Sequence, residues 1–367
     1  MFQISLPDKE VNSGARIFGE QGRRLVFYLA MEEYVASHLD EIPGGGDDRG
    51  GEKEAFFLWQ VPPTVIFGRN QVMEAEVNMQ YCKDNGVNLF RRKSGGGCVY
   101  SDWGNIMVSY ITDRTDVAFT FDRYLQRLTA ALCRLGLKAE RSGRNDVLVD
   151  GKKVSGNAFF LMPGSSVVHG TMLFDSDFEA LATAITPSRA KIKSKGVASV
   201  RQHVANLKEY IAASDDPAVA RLADIQEFKR YLLSFFCKGK IVLSEDQVRE
   251  IEKIEATYLD PVFIEGRNSS FNLEFNGKIE GSGEFKVEME LDKDKISQVH
   301  LLGDYFVLDA ASDGGAAGLD KLLNDRLSGC VNSREAVTAA LDGFDLGGYV
   351  LNLSTGNLID LIYDKSK

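Results

Sequence analysis

The chain has 367 residues, of which 44% are hydrophobic, and its formal net charge is −10 at pH 7. This size and hydrophobic content favour two domains, or one large domain with a smaller one. The acidic balance argues against a nucleic-acid partner. No apolar run is long enough to cross a bilayer, and the first residues lack the basic and apolar regions of a signal peptide.

The cysteines are scattered along the chain, without close pairs and without the spacing of a zinc site. This usage favours free thiols in a reducing cytoplasm. The residues are Cys82, Cys98, Cys133, Cys237 and Cys330.

The first predicted element is an amphipathic helix over residues 25–39, because its apolar residues recur at helical spacing. The positions near one face are Leu25, Leu29, Val35 and Leu39. The stretch PGGGDDRGGEKE, which begins at Pro43, is polar and glycine-rich, and it predicts a mobile surface loop.

Two strands follow, in the stretch FFLWQVPPTVIFGRNQ, where Pro62 and Pro63 break the pattern between them. The stretch DRYLQRLTAALCRLGL then predicts a helix. We expect Asp122 to cap its start and Gly136 to end it.

The region beyond residue 245 has a different pattern, which predicts a small α+β unit. Asn276-Gly277 is a strong hairpin signal. A strand follows, since apolar and charged residues alternate from Phe285 to Leu291. A second strand and two helices, around residues 316–328 and 334–342, complete the unit.

The stretch RRKSGGGCVYSDWGN, residues 91–105, contains three consecutive glycines. It is not a phosphate-binding P-loop, which requires GK[ST] at the start of a helix. We predict strands at residues 98–100 and 106–110, joined by a turn at residues 101–104 within one sheet.

A glycine run needs a physical reason, because glycine costs conformational entropy on folding. Missing side chains at Gly95, Gly96 and Gly97 would open a groove for a slender apolar chain, with its polar end near Arg69 or Arg91. The alternative is a simple bulge in a strand.

Residues 141–160, RSGRNDVLVDGKKVSGNAFF, predict a hairpin with a tight Asp150-Gly151 turn. If Asn145, Asp146 and Lys153 face the same side, they can hold a magnesium ion and neutralise a phosphate. The alternative is an exposed hairpin with a surface salt bridge.

Residues 167–175, VVHGTMLFD, predict a buried strand that contains His169. A lone histidine in such a strand is usually a hydrogen-bonded structural residue. Residues 188–196, SRAKIKSKG, predict a basic surface loop that either closes over an anionic ligand or is merely solvated.

Together these stretches resemble the lipoate–protein ligase family. The matching motifs are FGRNQ, RRKSGGGCVYSDWGN, GRND, GKKVSGNA, HGTMLFD and SKGVASVRQHVANL, and they occur in the family's order. The resemblance implies an α+β fold. Residues 1–245 would form a catalytic domain like those of class II aminoacyl-tRNA synthetases and biotin ligases, and residues 246–367 a small accessory domain.

The resemblance also implies an activity. Such an enzyme uses ATP and Mg²⁺ to convert lipoic acid, or octanoate, into an acyl-AMP. It then transfers the acyl group to a lysine of a carrier, either the lipoyl domain of a 2-oxoacid dehydrogenase E2 subunit or the glycine-cleavage H protein. We expect the enzyme to act in the cytoplasm.

The family's functional positions map onto this sequence as follows. Lys153 matches the catalytic lysine. The positions that match lipoate-binding residues are Arg69, Gly95, Gly96, Gly97 and His169. The positions that match ATP- or AMP-binding residues are Arg69, Val99, Tyr100, Asn105, Lys153, Ala158, Thr171 and Lys195. Asn145 and Asp146 match the metal site, and Val168 departs from the family pattern, because it replaces the first histidine of a pair.

Two alternatives stay open at this point. Cys98 leaves room for an acyltransferase of the same fold, which would move lipoyl or octanoyl groups through a thioester. A non-catalytic lipoyl-binding protein is the second alternative. A biotin ligase is disfavoured, because its GRGRxGR-like motif is absent.

Overall fold

The fold is given by a computed structural model. It describes residues 1–7, 23–40, 52–142, 145–185, 203–265, 271–308 and 316–364. The predicted basic loop over residues 188–196 lies outside these ranges. So does the predicted loop from Pro43, except for its last three residues.

Strands are numbered here in chain order. They are β1 (Phe2–Ser5), β2 (Glu54–Trp59), β3 (Thr64–Phe67), β4 (Asn88–Arg91), β5 (Val99–Ser101), β6 (Asn105–Thr112), β7 (Ala139–Ser142), β8 (Asp146–Val149), β9 (Lys152–Met162), β10 (Ser165–Leu173), β11 (Gly239–Val242), β12 (Leu273–Ile279), β13 (Gly283–Asp292) and β14 (Lys295–Gly303).

Helices follow the same convention. They are α1 (Leu25–Ser37), α2 (Met73–Glu76), α3 (Met79–Asp84), α4 (Val117–Cys133), α5 (Phe178–Ala184), α6 (Leu207–Ala212), α7 (Pro217–Ala220), α8 (Ile225–Phe236), α9 (Glu245–Tyr258), α10 (Pro261–Glu265), α11 (Ala316–Leu327), α12 (Arg334–Ala340) and α13 (Thr355–Tyr363).

Three sheets organise the described residues. The largest has the strand order β11-β1-β2-β6-β10-β9-β8-β7, and its central strands β6 and β10 are antiparallel. A small sheet has the order β4-β3-β5, and its strands lie between β2 and β6 in the sequence. The third sheet, β12-β13-β14, belongs to the C-terminal unit. Within these residues, no helix is both long enough and apolar enough to span a membrane.

The large sheet is covered on both faces. One face packs against α4 and α8 through residues such as Leu128 and Phe228. The other face packs against α1, and α9 covers α1 in turn through Val248 and Ile251. Every residue of β10 is buried, and burial from both sides explains why all of them except His169 are apolar or small.

The C-terminal unit has a core of its own, in which β12–β14 pack against α11 and α13. It also contacts the rest of the chain. The amide of Gly303 donates to the Asn70 carbonyl at 2.9 Å, and Phe306 packs among core residues of the large sheet. The predicted boundary at residue 245 precedes α9, which packs on α1.

Two helix predictions need correction. Helix α1 is present, but it is not amphipathic, because ten of its 13 residues are buried between the sheet and α9. Helix α4 begins at Val117, and its cap is Asp116 rather than Asp122, which pairs instead with Arg141. The predicted stop is confirmed, since Gly136 follows the helix with φ +80°.

Two sheet predictions were also wrong. Strand β5 pairs with β3 in the small sheet, whereas β6 lies in the large sheet, so the turn after β5 joins two sheets. Asn276-Gly277 lies inside β12, and the hairpin turn falls at residues 280–282. A Cβ at Gly277 would stand 2.4 Å from Leu361, so close packing of α13 explains this glycine.

Candidate active site

The β8–β9 hairpin forms the open end of the site. Its turn has φ +49° at Asp150 and φ +75° at Gly151, which confirms the predicted tight Asp-Gly turn. Lys153 Nζ lies 2.7 Å from Asp146 Oδ1, and the two side chains are 37% and 30% exposed. A Cβ at Gly156 would stand 2.9 Å from Lys153 Nζ, so this glycine makes room for the lysine.

Asn145 has a different environment from Asp146. Its side-chain nitrogen donates to the Asn157 carbonyl at 2.6 Å, and the Asn157 amide donates back to the Asn145 carbonyl. Asn145 therefore fixes the start of β8 against β9. Among the described residues, no group of three or more His, Cys, Asp or Glu side chains is arranged to hold a metal ion.

Three predicted nucleotide positions lie on the neighbouring strands β9, β10 and β6. Thr171 is opposite Gly156 and exchanges hydrogen bonds with its backbone, while Ala158 is opposite His169. Asn105 begins β6 opposite Leu173. The side-chain oxygen of Asn105 is buried and has no hydrogen-bond partner among the described residues, which leaves an acceptor for a ligand.

His169 belongs to a buried hydrogen-bond network. Its Nδ1 lies 2.7 Å from Glu32 Oε2 on α1, and its Nε2 lies 2.7 Å from Ser94 Oγ. Ser109 donates to the second oxygen of Glu32, and Trp59 donates to Ser109. The sequence pattern indicates His169 but not its partners, since none of them stands out in its own segment.

Arg92 organises the glycine run. Its guanidinium donates to the carbonyls of Gly95 and Gly97 at 2.7 and 2.8 Å, and its Nε donates to Ser94 Oγ. Burial lowers the pKa of Arg92 to about 10, so the side chain is still charged at neutral pH. The run therefore folds around a buried positive charge.

The glycine run also contacts the C-terminal unit. A Cβ at Gly95 would stand 2.0 Å from the Tyr305 carbonyl oxygen, and the Gly96 amide donates to that same oxygen. Gly96 has φ +86° and faces the ring of Phe306. On the side where Cβ atoms would stand, residues 305–306 therefore fill the groove that the sequence predicted.

The two arginines proposed for the polar end of the groove differ. Arg91 donates to the carbonyls of Gly68, Arg69 and Gln71 and to two carbonyls of α10, so it is a structural residue. The Arg69 amide donates to the Ser94 carbonyl, which ties it to the glycine run. Burial lowers the pKa of Arg69.

Two of the remaining predicted positions lie in the small sheet. Val99 and Tyr100 lie in β5, and Tyr100 is buried. Burial raises the pKa of the preceding Cys98 thiol to about 12, which opposes formation of a nucleophilic thiolate. Lys195 lies outside the described residues.

Known proteins of one family are similar to this chain. The family described as lipoyl protein ligase A/B catalytic domain matches residues 25–237. The lipoate–protein ligase LplJ of Bacillus subtilis is 33% identical over 344 residues, which cover 91% of this chain and 96% of the relative.

Three solved structures are also similar. P. falciparum LipL1 in complex with lipoate has a TM-score of 0.67 at 20% identity and covers 98% of this chain and 97% of its own. An archaeal bipartite ligase of Thermoplasma acidophilum, described with its E2 lipoyl domain, has a TM-score of 0.54 at 24% identity, with coverages of 74% and 98%. A lipoate–protein ligase A bound with ATP has a TM-score of 0.51 at 26% identity, with coverages of 66% and 94%.

The chain belongs to the lipoyl protein ligase family. The predicted α+β fold and the predicted enzyme class, an ATP-dependent lipoate–protein ligase, are confirmed. ATP and lipoate are confirmed as the small-molecule substrates of this class. The archaeal ligase is described with an E2 lipoyl domain, and the acceptor of this chain stays a prediction.

Proposed function

We propose that this ligase forms lipoyl-AMP beside the β8–β9 hairpin and transfers the lipoyl group to a lysine of a carrier. The observation that carries the proposal is the partly exposed Lys153–Asp146 pair, with Lys153 Nζ 2.7 Å from Asp146 Oδ1. In the proposed site, this pair would present an ammonium to the two anions that must meet. Fixed positive charge is the main requirement when a carboxylate attacks a phosphate.

Lys153 is the proposed catalytic residue. Its ammonium would contact the lipoate carboxylate and the α-phosphate together, and it would offset the charge that develops between them. Lys153 can leave Asp146 for these substrate groups, because a partly exposed ion pair contributes little stability. Gly156 leaves the space that the lysine needs to move.

Mg²⁺ fits this end of the site. Asp146 offers a partly exposed carboxylate, and Mg²⁺ is commonly held by one or two carboxylates together with substrate phosphates. The ion would neutralise phosphate charge. Asn145 would offer its side-chain oxygen beside Asp146, because its side-chain nitrogen is engaged by the Asn157 carbonyl.

The lipoate would lie along the glycine run. Gly95, Gly96 and Gly97 would border its chain on the side away from Tyr305, with Arg69 and His169 at the same site. The adenosine would contact a second set of residues, namely Val99, Tyr100, Asn105, Ala158, Thr171 and Lys195. The partnerless oxygen of Asn105 supports this assignment, because a buried acceptor requires a donor.

No enzyme nucleophile takes part in the proposed reaction. The mixed anhydride with AMP is already activated, so the carrier lysine can attack it directly. The raised pKa of Cys98 supports this mechanism over transfer through an enzyme thioester.

The carrier, the domain boundary and the location are also part of the proposal. The acceptor would be the lipoyl domain of a 2-oxoacid dehydrogenase E2 subunit or the glycine-cleavage H protein, in the cytoplasm. Residues 1–245 would form the catalytic domain. Residues 246–367 would form the accessory domain, and its first two helices, α9 and α10, would be the connector to the catalytic domain.

Mass spectrometry of candidate carriers tests the proposal. Each carrier is incubated with the enzyme, ATP, Mg²⁺ and lipoate, and each component is omitted in turn. We expect a lipoyl mass gain only in the complete mixture. A gain without ATP, with an acylated carrier as the donor in place of free lipoate, would favour the acyltransferase, and no gain on any lipoyl domain would contradict the ligase.

A further inference from the structure

Four successive residues lead into the glycine run, and each is held by a different anchor. Arg91 donates to the carbonyls of Ile264 and Glu265 in α10. Arg92 donates to carbonyls of the run itself. Ser94 contacts His169, and Lys93 pairs with Glu33. Residues 91–94, the entry segment, are therefore fixed on several sides before the glycines begin.

The anchor of Lys93 joins three elements. Lys93 Nζ lies 2.8 Å from both carboxylate oxygens of Glu33 on α1. The hydroxyl of Tyr258, the last residue of α9, donates to the same carboxylate. The ammonium also lies 4.7 Å from the centre of the Tyr258 ring, which adds a cation–π contact.

This ion pair differs from the exposed pairs on the surface of the protein. The Lys93 and Glu33 side chains are 28% and 13% exposed, and the Tyr258 ring beneath them is buried. On the same helix as Tyr258, Lys253 pairs with Glu250, but those side chains are 71% and 53% exposed. Burial and a third hydrogen-bonded partner strengthen a charge pair, whereas exposed pairs contribute little.

Two adjacent carboxylates of α1 thus hold two adjacent residues of the entry segment. Glu32 holds Ser94 through His169, and Glu33 holds Lys93 directly. A loop that borders a substrate works only if its supports fix it to within a fraction of an ångström. The position of the glycine run consequently depends on α1.

We propose that Lys93 is a positioning residue of the lipoate site, which acts by clamping the entry segment to Glu33 and Tyr258. The inference rests on the proposed function, in which the glycine run borders lipoate. Because Tyr258 belongs to the connector, the clamp also links lipoate binding to the docking of α9. Such a link is reciprocal, so bound lipoate should stabilise the connector in its docked position.

The test compares Lys93→Met with Lys253→Met, which removes an exposed lysine of α9. Steady-state assays measure the KM for lipoate, the KM for ATP and kcat. For Lys93→Met we expect the KM for lipoate to rise about tenfold, while the KM for ATP and kcat stay within about twofold of wild type. A change of this size is typical when one of two interacting residues is removed. Lys93→Arg should restore most of the lipoate KM, and Lys253→Met should change nothing.

Two results would overturn the clamp. One is an unchanged lipoate KM in Lys93→Met. The other is an equal loss for lipoate and ATP together with a lowered Tm, which would indicate general destabilisation.

Hydrogen exchange separates this inference from the proposed function. Without any substrate, the amides of residues 91–97 should exchange faster in Lys93→Met than in wild type or Lys253→Met. Unchanged exchange would overturn the clamp even in an active ligase. Faster exchange in a protein that makes no lipoyl-AMP would leave the clamp standing and contradict the proposed function.

Discussion

The Lys153–Asp146 pair and the Ser94–His169–Glu32 network show two different uses of charge in one site. The first pair is partly exposed and lies on one hairpin, so its partners can exchange for substrate groups. The network is buried, its members come from three separate segments, and His169 contacts a partner on each side. In the proposed site, the reactive group would thus be accessible, while the groups that fix the pocket would be shielded from water.

This difference predicts that the two regions respond to mutation in different ways. Loss of a partly exposed catalytic group should reduce rate with little effect on folding. Loss of a buried group should reduce stability, because its partners are left unpaired in a poorly solvated place.

The largest effect is expected for Lys153→Ala. Loss of one charged donor to the reacting groups should lower the rate of lipoyl-AMP formation roughly 10²–10³-fold. Lipoate-dependent ATP–pyrophosphate exchange measures this rate, and Lys152→Ala, at the exposed neighbouring position, is the matched control. Near-normal exchange in a folded Lys153→Ala protein would remove Lys153 from the mechanism.

Glu32→Gln should lower stability more than the same kind of substitution at any exposed carboxylate. The amide group of glutamine donates at one end, so either Ser109 or His169 must reverse the direction of its hydrogen bond or lose it. We expect the free energy of unfolding to fall by about 2–3 kcal/mol in urea titrations.

Asp175→Asn is the control for Glu32→Gln, since Asp175 forms an exposed pair with Lys208. It should cost less than about 1 kcal/mol. Equal losses in the two variants would refute the distinction between the buried network and the surface.

Gly96→Ala tests the contact between the glycine run and the C-terminal unit. The positive φ alone should cost about 1–2 kcal/mol, and a Cβ would also stand 3.0 Å from the Phe306 ring. Gly86→Ala is the control, because Gly86 has φ +62° but nothing within 4 Å. Only Gly96→Ala should also raise the KM for lipoate, by about tenfold, which corresponds to about 1.4 kcal/mol. The same KM in both variants would show that a shift of the run away from Phe306 does not reach the lipoate site.

Cys98→Ala should have the smallest effect. Burial raises the pKa of the thiol to about 12, which opposes formation of the nucleophilic thiolate at neutral pH. We expect lipoate transfer to a carrier within about threefold of wild type, since alanine is small and apolar. A folded but inactive Cys98→Ala enzyme would instead support the thioester route.

Part of the site could be predicted from sequence because its parts are local. Asp146 and Lys153 are seven residues apart, and the Asp-Gly turn between them fixes their pairing. His169 could be placed in a buried strand, but Glu32 lies 137 residues away and Ser94 lies 75 residues away. Such partners become visible only after packing.

The failed predictions have the same origin. Asn276-Gly277 is a good local turn signal, yet packing against Leu361 places it inside a strand. The glycine run predicted an open groove, but Tyr305 occupies one side of it. The capping prediction at Asp122 was wrong because Asp116 offers the same chemistry one and a half turns earlier. In each case a correct local rule was overruled by a contact or a competitor elsewhere in the chain.

The central claim is that lipoate is activated as an adenylate near Lys153, without a covalent bond to the enzyme. The most direct measurement mixes the enzyme with ATP, Mg²⁺ and lipoate but no carrier, denatures the mixture, and analyses protein and small molecules by mass spectrometry. The account predicts lipoyl-AMP among the small molecules, an unchanged protein mass, and almost no lipoyl-AMP with Lys153→Ala. A lipoyl group attached to Cys98, with no lipoyl-AMP released, would contradict the account.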